Sequence, residues 1–88
     1  MKIIRISAVW CPSCLIMRPR FENVEKEYPN IESKSYDIDL DEEASFYNVG
    51  HILPVFLLLD DKNNELGRLT GEQKIEVLIK MIEDHLEV

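Results

Sequence analysis

Five consecutive apolar residues, Val55-Phe56-Leu57-Leu58-Leu59, bracketed by Pro54 and Asp60, restrict the folds open to this chain more than any other stretch. A strand with one wet face alternates apolar and polar side chains, whereas an unbroken run has no polar side and is buried on both faces. The strand Pro54 to Asp60 therefore belongs at the centre of a sheet covered above and below. With 88 residues the cover must come from within one domain, residues 1–88, near the lower end of what folds without staples.

The rest of the chain supplies that cover in order. Lys2 to Ala8 alternates as a strand, with Ile4, Ile6 and Ala8 on one face and Ile3, Arg5 and Ser7 on the other. From about Pro12 to Tyr28 the positions Cys14, Met17, Phe21, Val24 and Tyr28 step by three and four, which makes one apolar stripe on a helix. Pro19 falls inside that stripe and kinks the helix without ending it, since the period runs through. Pro29-Asn30 stops it, and Glu32 to Leu40 reads as a second strand, completing a right-handed βαβ unit. Asp37-x-Asp39-x-Asp41 opens like a calcium loop, but Glu42 stands where glycine is needed and Asn48 where a bidentate glutamate belongs. Asp39 or Asp41 is expected instead to cap a short helix over 41–48. After the apolar strand, Asp61 to Asn64 makes a four-residue turn into an alternating strand, Glu65 to Leu69. Thr70 and Gln73 have the spacing of a capping box, which predicts a last helix burying Ile75, Leu78, Ile79, Ile82 and Leu86. The order is β-α-β-α-β-β-α, an α/β fold with a four-stranded mixed sheet flanked by helices.

The chemistry lies at the end of the first strand. Cys11-Pro12-Ser13-Cys14 contains the only two cysteines, and on a helix beginning at Cys11 that spacing brings the sulfurs within disulfide reach. A thiolate in the first turn of a helix is favoured by unpaired backbone N–H groups and by the positive end of the dipole. Cys11 is thus the expected nucleophile. Cys14, one turn deeper and more sheltered, suits release of the mixed disulfide, and Pro12 occupies a position that needs no N–H. Half of a zinc site is the competing reading of such a pair, but His51 and His85 are the only further soft ligands. Two inert buried thiols are the other.

Composition narrows the class. The net charge of −7 disfavours a nucleic-acid surface. The first cysteine stands at position 11, ahead of where a signal peptide's apolar core and cleavage site would fit, and no run approaches the roughly 18 apolar residues of a membrane span. The expectation is a reducing, cytoplasmic setting without membrane contact, where a cysteine pair is more often catalytic than structural.

This order, with a C-x-x-C closing the first strand, resembles the thioredoxin fold. Trp10 directly before the first cysteine, Pro19 five residues after the second, Leu53-Pro54 opening the buried strand, and Thr70-Gly71 before the last helix all resemble family signatures. The resemblance implies a cis Leu53-Pro54 bond facing the cysteines, so that the Leu53 backbone can pair with an extended substrate peptide. It also implies that Trp10, Pro12, Ser13, Leu53, Pro54, Thr70 and Gly71 line the substrate-binding surface. There are departures. Thioredoxins open with a further strand and helix, absent here, which leaves the expectation of one thinly covered sheet face. Proline comes first in Cys-Pro-Ser-Cys, as in glutaredoxins, yet the glutathione-binding patterns of those proteins are missing around Pro54 and Thr70. Arg5 stands where thioredoxins keep a buried acid, and it is expected to reach water or an acid such as Asp37 or Asp39.

The function implied is reduction of protein disulfides by Cys11 and Cys14. No cofactor is called for beyond their own redox-active disulfide, and no metal. The implied partners are a disulfide-containing protein and an electron donor such as a thioredoxin reductase or another dithiol system, with the protein itself a monomer. Two alternatives remain open: a glutathione-dependent, glutaredoxin-like enzyme, and a redox-sensing or binding module that does not turn over. His51, three residues before Pro54, is a candidate for favouring the Cys11 thiolate or simply a solvated loop residue. His85 is expected at the surface in a helix's last turn.

Overall fold

The computed structural model describes residues 1–86. Its elements are β1 (Lys2–Ser7), α1 (Pro12–Glu27), β2 (Glu32–Asp37), a 3₁₀ segment (Glu42–Tyr47), β3 (Val55–Leu59), β4 (Glu65–Thr70) and α2 (Ile75–Leu86). The strands lie in the order β2-β1-β3-β4, with β1 parallel to β2 and antiparallel to β3, and β4 antiparallel to β3. All five residues of β3 are buried, as an unbroken apolar run requires.

Alternation along β1 divides the core in two. Ile4, Ile6 and Ala8 join Val55, Leu57 and Leu59 on the face that also holds Cys11, Cys14 and Leu53. Ile3 joins Phe56 and Leu58 on the other, where Met17, Phe21 and Val24 of α1 and Leu78, Met81 and Ile82 of α2 pack down. Phe21 and Phe56 stack there with ring centroids 5.7 Å apart. The face expected to be thinly covered is closed without a helix of its own. Ala44 of the 3₁₀ segment is buried against it, with Tyr36, Ile38, Tyr47 and Val49 packed around, and the Arg68 guanidinium of β4 fixes this strap by donating to the carbonyls of Tyr47 (2.6 Å) and Asn48 (3.2 Å).

Four local expectations are corrected, each because a side chain or glycine captures the backbone. β2 ends at Asp37 rather than Leu40, since the Asp37 carboxylate accepts from the N–H groups of Asp39 (2.8 Å) and Leu40 (3.1 Å) and folds the chain over. Asp41 holds the N-cap position of the 3₁₀ segment without capping it, because its carboxylate turns back to the Asp37 N–H at 2.7 Å. Asp60 leaves β3 to organise the hairpin, accepting from the N–H groups of Lys62 and Asn64. Thr70 does not cap α2; it pairs with Val55 as the last residue of β4, and Gly71 at φ +79° turns the chain, so α2 begins at Ile75. Within α2, Met81 is buried and Leu86 is 40% exposed. Gly67 of β4 leaves room for Met81, because a Cβ there would lie 3.0 Å from the Met81 sulfur.

Candidate active site

β1 delivers the chain to the site and α1 carries it away. The Ala8 carbonyl accepts from the Cys11 N–H at 3.2 Å, closing the turn through the exposed Val9 and Trp10. Cys11 then acts as the N-cap of α1 with extended backbone (φ −94°, ψ 114°), and its sulfur accepts from the Cys14 N–H at 3.3 Å. Sulfur thus does here what a serine or aspartate oxygen does at most helix starts. Pro12 takes the first helical position, and the first turn carries no acidic residue to compete with a thiolate for the N–H groups.

Both cysteines are free thiols, and each is 6% exposed. The expectation that Cys14 is the more sheltered of the two is therefore corrected: Cys11 is as deeply covered, by the segment that precedes β3. They differ in environment. Burial pushes the Cys14 thiol up to about 11, reinforced by its hydrogen bond with Cys11, while the Ala8 backbone and the Arg5 charge pull it back down.

The second wall of the site is the segment before β3. The Leu53-Pro54 bond is cis, and the Cys11 thiol lies 3.8 Å from the Leu53 carbonyl oxygen as a long S–H donor. The Gly71 N–H donates to the Pro54 carbonyl at 2.8 Å, and Ile52 packs beside Gly71. The structure thus brings Cys11, Cys14, Leu53, Pro54 and Gly71 together, with Thr70 on the adjoining strand end. Trp10 is 64% exposed and flanks the thiols with Val9, Leu15 and Ile52, a rim of solvent-facing apolar side chains beside a buried sulfur. Pro12 is exposed and Ser13 half-buried on the first turn of α1.

Asp39 belongs to the site and was not foreseen as such. Its Oδ2 accepts from the Trp10 indole N–H at 2.7 Å, which fixes the ring of the residue next to Cys11. The Asp-x-Asp-x-Asp spacing was the available signal, read for metal and caps, whereas Asp37 ties two backbone N–H groups, Asp41 one, and Asp39 the indole N–H. Among the described residues no group of three or more His, Cys, Asp and Glu is arranged to hold a metal ion. His51 is exposed and makes no hydrogen bond among the described residues. His85 is half-buried at the end of α2, with Nδ1 2.8 Å from the Met81 carbonyl.

Arg5 does not pair with Asp37 or Asp39. Its guanidinium carbon lies 5.2 Å from the centroid of the Phe21 ring, a cation–π arrangement, and its Nε is buried without a hydrogen-bond partner.

Comparison with known proteins agrees with this geometry. Residues 1–84 match the Thioredoxin family profile. A thioredoxin of Chlamydia pneumoniae is 31% identical over 84 residues, covering 94% of this chain and 80% of that protein. An H-type thioredoxin of Fagopyrum esculentum is 30% identical over 80 residues, covering 90% and 67%. The structure of thioredoxin 1 from Thermosipho africanus superposes with a TM-score of 0.83 at 24% identity, over 99% of this chain and 96% of that one.

Proposed function

This chain belongs to the thioredoxin family, and from that premise we propose how its two cysteines divide the work. It is a thiol-disulfide oxidoreductase that reduces protein disulfides. Cys11 attacks a substrate disulfide, forming a mixed disulfide and releasing one substrate thiol; Cys14 then attacks Cys11, closing the Cys11–Cys14 disulfide and releasing the second. The observation that carries this assignment is the Cys11 sulfur at the N-cap of α1, accepting the Cys14 N–H at 3.3 Å. That N–H is aimed at the Cys11 sulfur, whereas burial raises the Cys14 thiol to about 11 and so keeps it protonated until it is needed.

The substrate peptide lies over Trp10, Pro12 and Ser13 on one side and Leu53, Pro54, Thr70 and Gly71 on the other. The Leu53 backbone offers edge pairing beside the thiol. The redox disulfide is the only prosthetic element, and a thioredoxin reductase or another dithiol donor restores the thiols. The protein works as a monomer in the cytoplasm, passing electrons between dithiols and disulfides to maintain redox balance.

Insulin reduction driven by dithiothreitol, then by a thioredoxin reductase, and separately by glutathione, tests the reading. Turnover with the first two is expected, lost in Cys11→Ser. Turnover with glutathione alone would make the protein glutaredoxin-like, and no turnover with any donor would reduce it to a sensor.

A further inference from the structure

Behind the thiols lies a small pocket of about 150 Å³ lined by Cys14 and Leu15 of α1, Arg5 and Ser7 of β1, and Asp37 of β2, among others. Arg5 and the second cysteine thus border the same cavity. Arg5 enters none of the ion pairs among the described residues. Its guanidinium carbon lies 5.2 Å from the centroid of the Phe21 ring and its Nε is buried without a partner. A cation so placed is costly to desolvate and keeps an unfilled demand for negative charge.

We propose that Arg5 is a positioning residue for the resolving step, its fixed charge favouring the Cys14 thiolate as that thiolate forms to attack the Cys11 mixed disulfide. The proposal rests on the division of roles given above. In the step, Cys14 loses its proton to solvent, its sulfur bonds to the Cys11 sulfur, the bond between Cys11 and substrate breaks, and substrate leaves as a thiolate. Negative charge moves from Cys14 to the leaving sulfur, so a cation beside Cys14 acts at the start of the transfer, when the charge is most deeply buried. No carboxylate has to take the proton.

The charged groups around the pair are few. Glu22, Glu25 and Arg18 of α1 act on Arg5, the acids and the cation in opposite directions; Cys11 faces Cys14 from the N-cap and raises it; Arg18 and Asp37 also line the pocket. Asp37 is the one rival as a proton acceptor, and its Oδ1 is already engaged by two backbone N–H groups.

The test uses the reduced protein loaded with thionitrobenzoate by reaction with its symmetrical disulfide. Loading releases one coloured thiolate and the Cys14 attack releases the second, whose rate is followed by stopped flow against pH. Removing an opposite charge disfavours the thiolate. Arg5→Met is therefore expected to shift the profile up by about half a unit and slow release about threefold near neutrality. Arg5→Lys should remain close to wild type, and Asp37→Asn should superimpose on it. Should Arg5→Met fail to fold, Arg5→Gln carries the same comparison. A wild-type profile in the uncharged variant, equal slowing in Arg5→Lys, or a shift in Asp37→Asn alone overturns the inference. Cys14→Ser keeps the two failures apart: if it still releases the second thiolate, the roles of the cysteines are wrong, and Arg5 falls with them.

Discussion

Raising the pH of the reduced protein should destabilise it through Cys14 in a way that can be isolated. The Cys14 thiol is 6% exposed and held at about 11, against an ordinary 9.0 in the unfolded chain, first because burial penalises its charge. A group whose folded value is raised contributes stability that is whole below the unfolded value and is lost as pH climbs through the folded one. The window is thus about pH 9 to 11. One unit corresponds to about 1.4 kcal/mol, so roughly 1 kcal/mol disappears between about pH 8 and 10, towards a ceiling of about 3 kcal/mol. For a domain of this size 1 kcal/mol moves the melting temperature by about 4–8 °C. The assay is thermal unfolding by circular dichroism with a phosphine reductant, comparing wild type with Cys14→Ala at matched ionic strength. The growing negative charge of a chain already at −7 acts on both proteins and cancels in the difference. Wild type should lose its lead over Cys14→Ala by that amount between pH 8 and 10. Parallel curves would mean that Cys14 ionises as freely in the fold as outside it, and the environment described for it would be refuted.

Two further outcomes follow from local geometry. Gly71 has φ +79°, and a Cβ there would meet Ile52 at 3.3 Å, so Gly71→Ala should cost about 1–2 kcal/mol in urea unfolding, whereas Gly50→Ala, with nothing within 4 Å, should be close to neutral; equal effects would remove the turn argument. Asp39→Ala should leave stability within about 1 kcal/mol, since the lost bond is at the surface, while changing the fluorescence of Trp10, the protein's single tryptophan, and slowing insulin reduction; an unchanged spectrum would show that Asp39 does not hold the ring.

Much of the fold was legible because it rests on periodicity. The run Val55–Leu59 declared a central strand, and the stripe of Cys14, Met17, Phe21 and Val24 declared the buried face of α1, with Pro19 inside it. Tyr28, the last residue of the stripe, closes the helix as its C-cap. What escaped depends on competition between side chains and backbone. Asp37, Asp41 and Thr70 are each compatible with a strand continuation or a cap, and only the tertiary positions of their neighbours decide which N–H they take or which strand they pair with. The choice of Met81 over Leu86 as a buried residue depends on the gap at Gly67, one strand away. Of the site, the two cysteines and the Leu53-Pro54 wall could be read from spacing and resemblance. The contact of Arg5 with Phe21 and the bond between Trp10 and Asp39 join residues 16 and 29 positions apart, beyond the reach of any local pattern.

The division of labour between the two thiols is tested most directly by alkylation. Cys11 and Cys14 are both 6% exposed as residues, and the order in which they react reports which sulfur is presented as the nucleophile. Reduced protein treated with limiting iodoacetamide near neutral pH and mapped by mass spectrometry should carry the label on Cys11 well before Cys14. Label appearing first on Cys14, or equally on both, would contradict the assignment of Cys11 as the attacking thiol.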